Sequence, residues 1–418
     1  MKNSRMSMFF ASQLALLLVV SSSAWAGGGE RVLYTFTGGQ DGSIPVGILA
    51  QDSAGNYYGV AQAGGIDQSG VVFELSKVDG RWGQKALYTF TGGSDGAQPV
   101  GGVIFDPKGN LYGVANSGGL PGCIDGCGTV FELSPGGDGT WRFYLLHSFT
   151  NNSVGGASPT GILALDPAGN LYGNTQGGGD SSCNCGTVFE LTPQRNGKWK
   201  ETVLHAFRGG KHDGSLPFES GLTRDSAGSL YGVTTLGGTN DIGTVFRISL
   251  KRDGKWQGTL LHSFVGGSDG FQPLATPALD PEGNLYGTAY RGGNDCSCGA
   301  VFELTPTPAG EWTESIIFKF SGPDGIGTFA TPIFDKAGNL YGTTFDGGSG
   351  ICASCGTAFE LTPVGNGQWQ ETFVHHFQGA SDGAAPRGGL IMNSAGKFVG
   401  TTLGGGQNGD GVVYEITP

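Results

Sequence analysis

The run Gly161-Ile162-Leu163-Ala164-Leu165-Asp166, the turn Pro167-Ala168-Gly169-Asn170, the segment Leu171-Tyr172-Gly173-Asn174-Thr175 and, beyond a loop, Gly186-Thr187-Val188-Phe189-Glu190-Leu191 together decide the fold. Each apolar run is too short for a helix and is bounded by turn residues, which is the signature of strands. Pro-Ala-Gly-Asn joins the first two runs as a tight hairpin in which Gly169 is free to take a positive φ. A fourth run ending at Phe207 follows the Gly-x-Trp turn at Trp199. These four runs are strands A, B, C and D of one unit.

The unit recurs. Leu-Tyr-Gly of strand B returns at Leu111-Tyr112-Gly113, Leu230-Tyr231-Gly232, Leu285-Tyr286-Gly287 and Leu340-Tyr341-Gly342, with variants Tyr57-Tyr58-Gly59 and Phe398-Val399-Gly400. Strand C returns as Gly70 to Leu75, Gly128 to Leu133, Gly243 to Ile248, Gly299 to Leu304, Gly356 to Leu361 and Gly411 to Ile416. Seven copies at a mean period of about 57 residues fit propeller blades and are too long for most helical solenoids. The 81 glycines therefore sit at ordered turns rather than in linkers. Starts of strand A carry Gly or Pro, as at Gly101-Gly102 and Gly388-Gly389, where backbones would converge on an axis.

Strand D ends at Phe90, Phe149, Phe207, Phe264, Phe320 and Phe377, and the six tryptophans from Trp82 to Trp369 each precede one of these strands. The seventh strand C has no successor, but Arg31-Val32-Leu33-Tyr34-Thr35-Phe36 supplies a strand D at the other end of the chain. A linear stack would leave sheet edges and faces open, whereas a ring buries them. The expectation is an all-β, seven-bladed β-propeller of four-stranded blades, closed by the N-terminal strand completing the last blade.

The Gly-Gly pair, variable loop and Gly-Thr-Val-Phe-Glu-Leu order resembles the GloVer tandem repeat of exported bacterial proteins, with Val71, Ala300 and Ala358 as small departures. The resemblance covers residues 27–418 and implies an extracellular or surface location, with no established activity to carry over. The Gly-Gly, aromatic, Trp order is also similar to kelch propellers, and Asp-x-x-Gly-Asn-Leu-Tyr resembles the turns of NHL and gluconolactonase-like propellers. Both likenesses concern fold, because propellers host many unrelated sites.

Residues 1–26 carry Lys2 and Arg5, an apolar run from Met8 to Val20 and the small-x-small triplet Ala24-Trp25-Ala26, the layout of a cleaved signal peptide. The run is shorter than the roughly 20 residues a membrane span needs. Residues 27–418 are expected to form one domain that is secreted, periplasmic or held at the cell surface, without a membrane span. Losing Lys2 and Arg5 and no acid takes the net charge from -12 to -14, which argues against nucleic acid as partner.

All eight cysteines fall in the loops between strands B and C of four units: Cys123 and Cys127, Cys183 and Cys185, Cys296 and Cys298, Cys352 and Cys355. An even count in an exported chain favours disulfides. Pairing within each loop is the expectation; bridges between neighbouring loops and a four-thiolate metal site are the alternatives. The loop from strand D to the next strand A carries Asp-Gly in six copies: Asp41, Asp95, Asp213, Asp269, Asp324 and Asp382. These carboxylates are the candidate binding residues. They could hold Ca²⁺ or a hydroxyl-rich ligand, or each could simply tie its own turn. No other cofactor or metal is expected.

No nucleophile elbow, metalloprotease helix or phosphate loop is present, so no catalytic residue is assigned. The expected function is an exported, non-catalytic binding or scaffold propeller recognising an extracellular glycan, cell-wall component or protein. The alternative is a propeller enzyme of lyase or lactonase type acting at a central funnel. That reading needs polar residues that break the repeat near the axis, and Glu219, Arg224 and Arg387 are the candidates. A third reading is a structural surface-layer component.

Overall fold

The structure, a computed structural model, describes residues 29–151, 155–348, 352 and 354–418; the signal peptide expected over residues 1–26 lies outside them. Among the described residues there is no α-helix, only strands and one short 3-10 turn at Gly267–Asp269. Small, mostly antiparallel sheets are set in a propeller arrangement, and most run A-B-C-D outward from the axis; a two-stranded piece pairs Gly214–Ser215 with Leu236–Gly237. The four-stranded sheet of the third unit is typical, with strands Gly156–Leu165, Leu171–Gly178, Thr187–Pro193 and Trp199–Ala206.

The repeated residues now have physical reasons. Asp166 closes the A–B hairpin: its carboxylate accepts from the N–H groups of Ala168 (2.8 Å) and Asn170 (2.9 Å), the Asn170 side chain (2.9 Å) and the Tyr172 hydroxyl (3.1 Å). Asp52, Asp106 and Asp335 do the same in their hairpins. The glycine of Leu-Tyr-Gly is demanded by space. Gly173 faces Phe189 in register, and a Cβ there would lie 2.5 Å from Phe189 Cζ and 2.8 Å from Leu163 Cδ2. Gly173→Ala is therefore expected to cost about 2–3 kcal/mol by overpacking, with Phe189→Leu in the same chain recovering part of the loss. Chemical denaturation of the single and double variants checks this, and additive losses would refute the steric reading.

Sheets are tied by aromatic pairs. The Phe ending each strand D meets the strand C aromatic of the next unit edge to face, from Phe90–Phe131 to Phe377–Tyr414, with centroids 4.9 to 5.3 Å apart. Phe36 meets Phe73 in the same way at 5.2 Å. Strand Glu30–Thr35 pairs antiparallel with Val412–Ile416, from Glu30 opposite Ile416 to Thr35 opposite Val412. Leu33 and Phe36 are buried in a cluster with Leu49, Phe73, Val399 and Val413.

The sheets are not the seven equivalent ones expected from the repeat count. Five stand apart with four or five strands each, whereas the first two units run together into one eight-stranded sheet. The fusion is a single parallel bridge between Ile48 and Gly102. There a Cβ on Gly47 would collide with Gly101, but Gly101 approaches Gly161 as closely without a bridge, so the close approach permits the fusion without dictating it. Strand A is also broken in the later units, reduced to two-residue pieces such as Thr223–Arg224, Ile333–Phe334 and Ile391–Met392.

Candidate ligand site

The inner strands begin with a shared device. Ile44, Gln98, Ser158, Leu216, Gln272 and Ala385 each take a left-handed φ of 55 to 58° just before a proline (Pro45, Pro99, Pro159, Pro217, Pro273, Pro386). Their N–H groups donate to a carbonyl of the preceding unit, as from Ser158 to Cys127 and from Ile44 to Asp410. The residue after the proline lines the axis in five of these units, at Val46, Val100, Thr160, Phe218 and Arg387. Gly47, Gly101 and Gly161, one step further on, are also left-handed, at φ 76, 75 and 69°. In the fourth unit that glycine position holds Glu219, with φ 61°. A left-handed Glu costs on the order of 1 kcal/mol, and such strain is concentrated at functional sites.

Here the axis opens into a cavity of about 150 Å³ lined by residues of all the units. Its walls are apolar at Val46, Val100, Ile162, Phe218 and Phe329, with Gln62, Asn116, Thr160 and Thr331 among them. Arg387 Nε donates to Glu219 Oε2 at 2.9 Å, and its Nη2 contacts Glu219 Oε1, a two-pronged pair across the axis. The guanidinium carbon lies 5.0 Å from the Phe329 ring centre, a cation–π contact. Phe329 in turn packs against Tyr290 and Phe345 at 4.9 and 5.1 Å. The Glu219 N–H donates to Thr160 Oγ1 at 2.8 Å, which fixes the strained backbone.

Two of the three repeat-breaking residues thus meet on the axis, and the third does not. Arg224 sits in the A–B hairpin, paired with Leu230, away from the cavity. Phe329, Thr160 and Gln62 escaped sequence reasoning. Aligning the residue after each strand A proline (Val46, Val100, Thr160, Phe218, Leu274, Arg387) would have flagged Thr160 and Arg387 as the polar exceptions.

The Asp-Gly carboxylates are spread over separate loops, each engaged locally. Asp41 accepts from the Tyr34 hydroxyl and the Thr37 N–H, Asp95 from Tyr88 and Thr91, Asp324 from Ser321. Asp213, Asp269 and Asp382 face His205, His262 and His375 at 3.0, 3.1 and 2.9 Å while accepting from the N–H groups of Arg208, Val265 and Gln378. The cysteines lie as four local pairs, Cys123–Cys127, Cys183–Cys185, Cys296–Cys298 and Cys352–Cys355, with Cα separations of 5.2 to 5.6 Å.

A glutamate of the next strand D approaches several of these loops. Burial, reinforced by the nearby Asp324, pushes Glu371 up to about 8, far above its ordinary 4.5. The native state therefore holds that proton more tightly than the unfolded chain. Its contribution to stability is complete below pH 4.5 and is lost as the pH rises through about 8. After allowance for solvent screening the loss is on the order of 2 kcal/mol. Urea midpoints from pH 5 to 9 should fall with pH in the native chain and fall less in Glu371→Gln; parallel curves would contradict this assignment.

Comparisons with known proteins match the chain to one repeat family and to several solved structures. The Gloeobacter/Verrucomicrobia repeat profile matches residues 19–246, 182–349 and 276–418. No curated protein matches the chain. Among solved structures, a gluconolactonase from Xanthomonas campestris is similar at 14% identity and TM-score 0.39, covering 76% of this chain and 86% of its own. A putative oxidoreductase (glucose dehydrogenase) from Thermus thermophilus is similar at 16% identity and TM-score 0.42, covering 75% and 95%. A protein of unknown function from Dyadobacter fermentans follows at 10% identity and TM-score 0.43, covering 82% and 96%.

Proposed function

We propose that this chain, which belongs to the Gloeobacter/Verrucomicrobia repeat family, is an exported binding propeller that takes the end of an extracellular glycan into its axial cavity. In this reading the eight-stranded sheet counts as two blades and the N-terminal strand completes the last, giving a closed seven-bladed ring. The pairing of Glu30–Thr35 with Val412–Ile416 and the Phe36–Phe73 contact support that count. The leader-like residues 1–26 and the acidic composition support export and a partner other than nucleic acid.

The observation that carries the reading is the Glu219–Arg387 pair over Phe329. It breaks the repeat where most polar positions of the molecule follow it, and it joins charged donors and acceptors to an aromatic wall. Small-molecule sites have this composition: apolar walls with a few placed polar groups. Calorimetric titration with a panel of neutral and acidic oligosaccharides tests it. Binding should appear for the native chain and be lost in Phe329→Ala; binding unaltered in that variant would move the site elsewhere.

An enzyme acting at the same funnel is the second reading, favoured by the strained backbone of Glu219. There the Glu219 carboxylate would act as acid or base once a substrate displaced Arg387. Turnover of polysaccharides or lactones by the native chain, abolished in Glu219→Gln, would establish this reading over simple binding.

A further inference from the structure

We propose that the protein binds two divalent transition-metal ions of the zinc class at the periphery of the propeller, one held by His262, Asp269 and Glu314, the other by His375, Asp382 and Glu30. Each group joins a strand D histidine, the Asp of the loop that follows, and a Glu from the neighbouring strand D. In both, one donor atom from each of the three residues lies within 4.8 Å of the other two.

Three observations carry the assignment. First, the spacing is right: His262 Nε2 is 3.1 Å from Asp269 Oδ1, and His375 Nε2 is 2.9 Å from Asp382 Oδ2. A tetrahedral zinc with nitrogen and oxygen ligands at 2.0–2.2 Å sets adjacent donors roughly 3.3 Å apart. Second, Oε1 of Glu30 and of Glu314 is buried and accepts no hydrogen bond from the described residues; Oε1 of Glu201 and of Glu371 shares this, but only at Glu30 and Glu314 do both a histidine and an aspartate stand beside it. A buried carboxylate oxygen without a donor calls for a compensating partner.

Third, the repeat supplies internal controls. His205 and Asp213 meet as the other pairs do, but Gly258 packs where the glutamate would come. Asp324 and Glu371 lack the histidine, since Phe318 precedes that loop. The complete set thus arises at two places, from residues that vary independently elsewhere. An imidazole among two carboxylates selects zinc-like ions over Ca²⁺, which prefers six to eight oxygens. The histidines remain 20% and 17% exposed, leaving a side open for a solvent ligand. At the second site the ion would also pin Glu30, and with it the N-terminal strand, to the sixth unit.

The test is calorimetric titration of chelator-stripped protein with Zn²⁺ alone, with metal counted by mass spectrometry. Two ions per chain are expected, undisplaced by about a hundredfold excess of Ca²⁺. Glu314→Gln should bind one ion and Glu314→Gln with Glu30→Gln none, with circular dichroism unchanged. If a glutamine variant fails to fold, His262→Gln and His375→Gln serve in its place with the same expected counts. Zinc should raise the thermal midpoint of the native chain and not that of the double variant. Fewer than one ion per native chain, or a zinc count that the paired substitutions leave unaltered, overturns the proposal.

Discussion

A chain beginning at Thr37 is expected to lose its cooperative unfolding transition altogether. Without Glu30–Phe36, strand Val412–Ile416 loses every partner on one edge, where five residue pairs are now in register. Leu33 and Phe36 also leave the cluster that holds Leu49, Phe73, Val399 and Val413 together. Burial of two such side chains is worth about 1.5–3 kcal/mol each, before counting the backbone pairing. That sum is a large share of the 5–15 kcal/mol by which folded domains usually survive. The bared edge is largely apolar, at Val412, Val413, Tyr414 and Ile416, so aggregation should accompany the loss. A synthetic peptide spanning Glu30 to Phe36, added in trans, should restore a sharp calorimetric transition because the vacated edge is specific in register. A truncated chain that melts at the native temperature would show that the N-terminal strand is dispensable.

The all-β class and the strand order were legible because the signals were local and repeated. Leu-Tyr-Gly with Thr-Val-Phe-Glu-Leu encodes a strand B glycine that makes room for a strand C phenylalanine, and the pair recurs whenever the unit does. The displaced strand D was legible for the same reason, since Leu33-Tyr34-Thr35-Phe36 copies Leu87-Tyr88-Thr89-Phe90. The fusion of the first two sheets was not legible. It rests on one parallel bridge between Ile48 and Gly102 across units, a contact that no spacing along the chain encodes. The axial site was half legible. Glu219 and Arg387 stood out as departures from the repeat, but 168 residues separate them, and only the folded arrangement of the units brings them together. Phe329 carries no sequence mark of its own; its part in the site comes from Arg387 lying over its ring. The Asp-Gly series left two readings open, a shared ligand ring or carboxylates that each tie their own turn, and the hydrogen bonds each makes within its own loop account for its recurrence with the unit.

Arg387→Ala should cost about 3 kcal/mol, because it leaves the Glu219 carboxylate largely buried with its counter-charge removed. Its partner offers a sharper experiment, since Glu219 occupies a position where Gly47, Gly101 and Gly161 take the same left-handed backbone. Glu219→Gly removes the charge pair but also releases backbone strain on the order of 1 kcal/mol, whereas Glu219→Ala keeps the strain. The glycine variant should therefore be the more stable of the two, an inversion of the usual preference for alanine. Combining Glu219→Gly with Arg387→Ala leaves neither charge stranded, so the double variant should unfold later in urea than Arg387→Ala alone. A coupling of about 2 kcal/mol in that cycle is the expected result. Additive losses would mean the pair is screened by water and contributes little to the cavity. Glycan binding supplies the contrast, since both single variants and the double should lose it: restored stability does not restore the guanidinium and carboxylate that line the cavity.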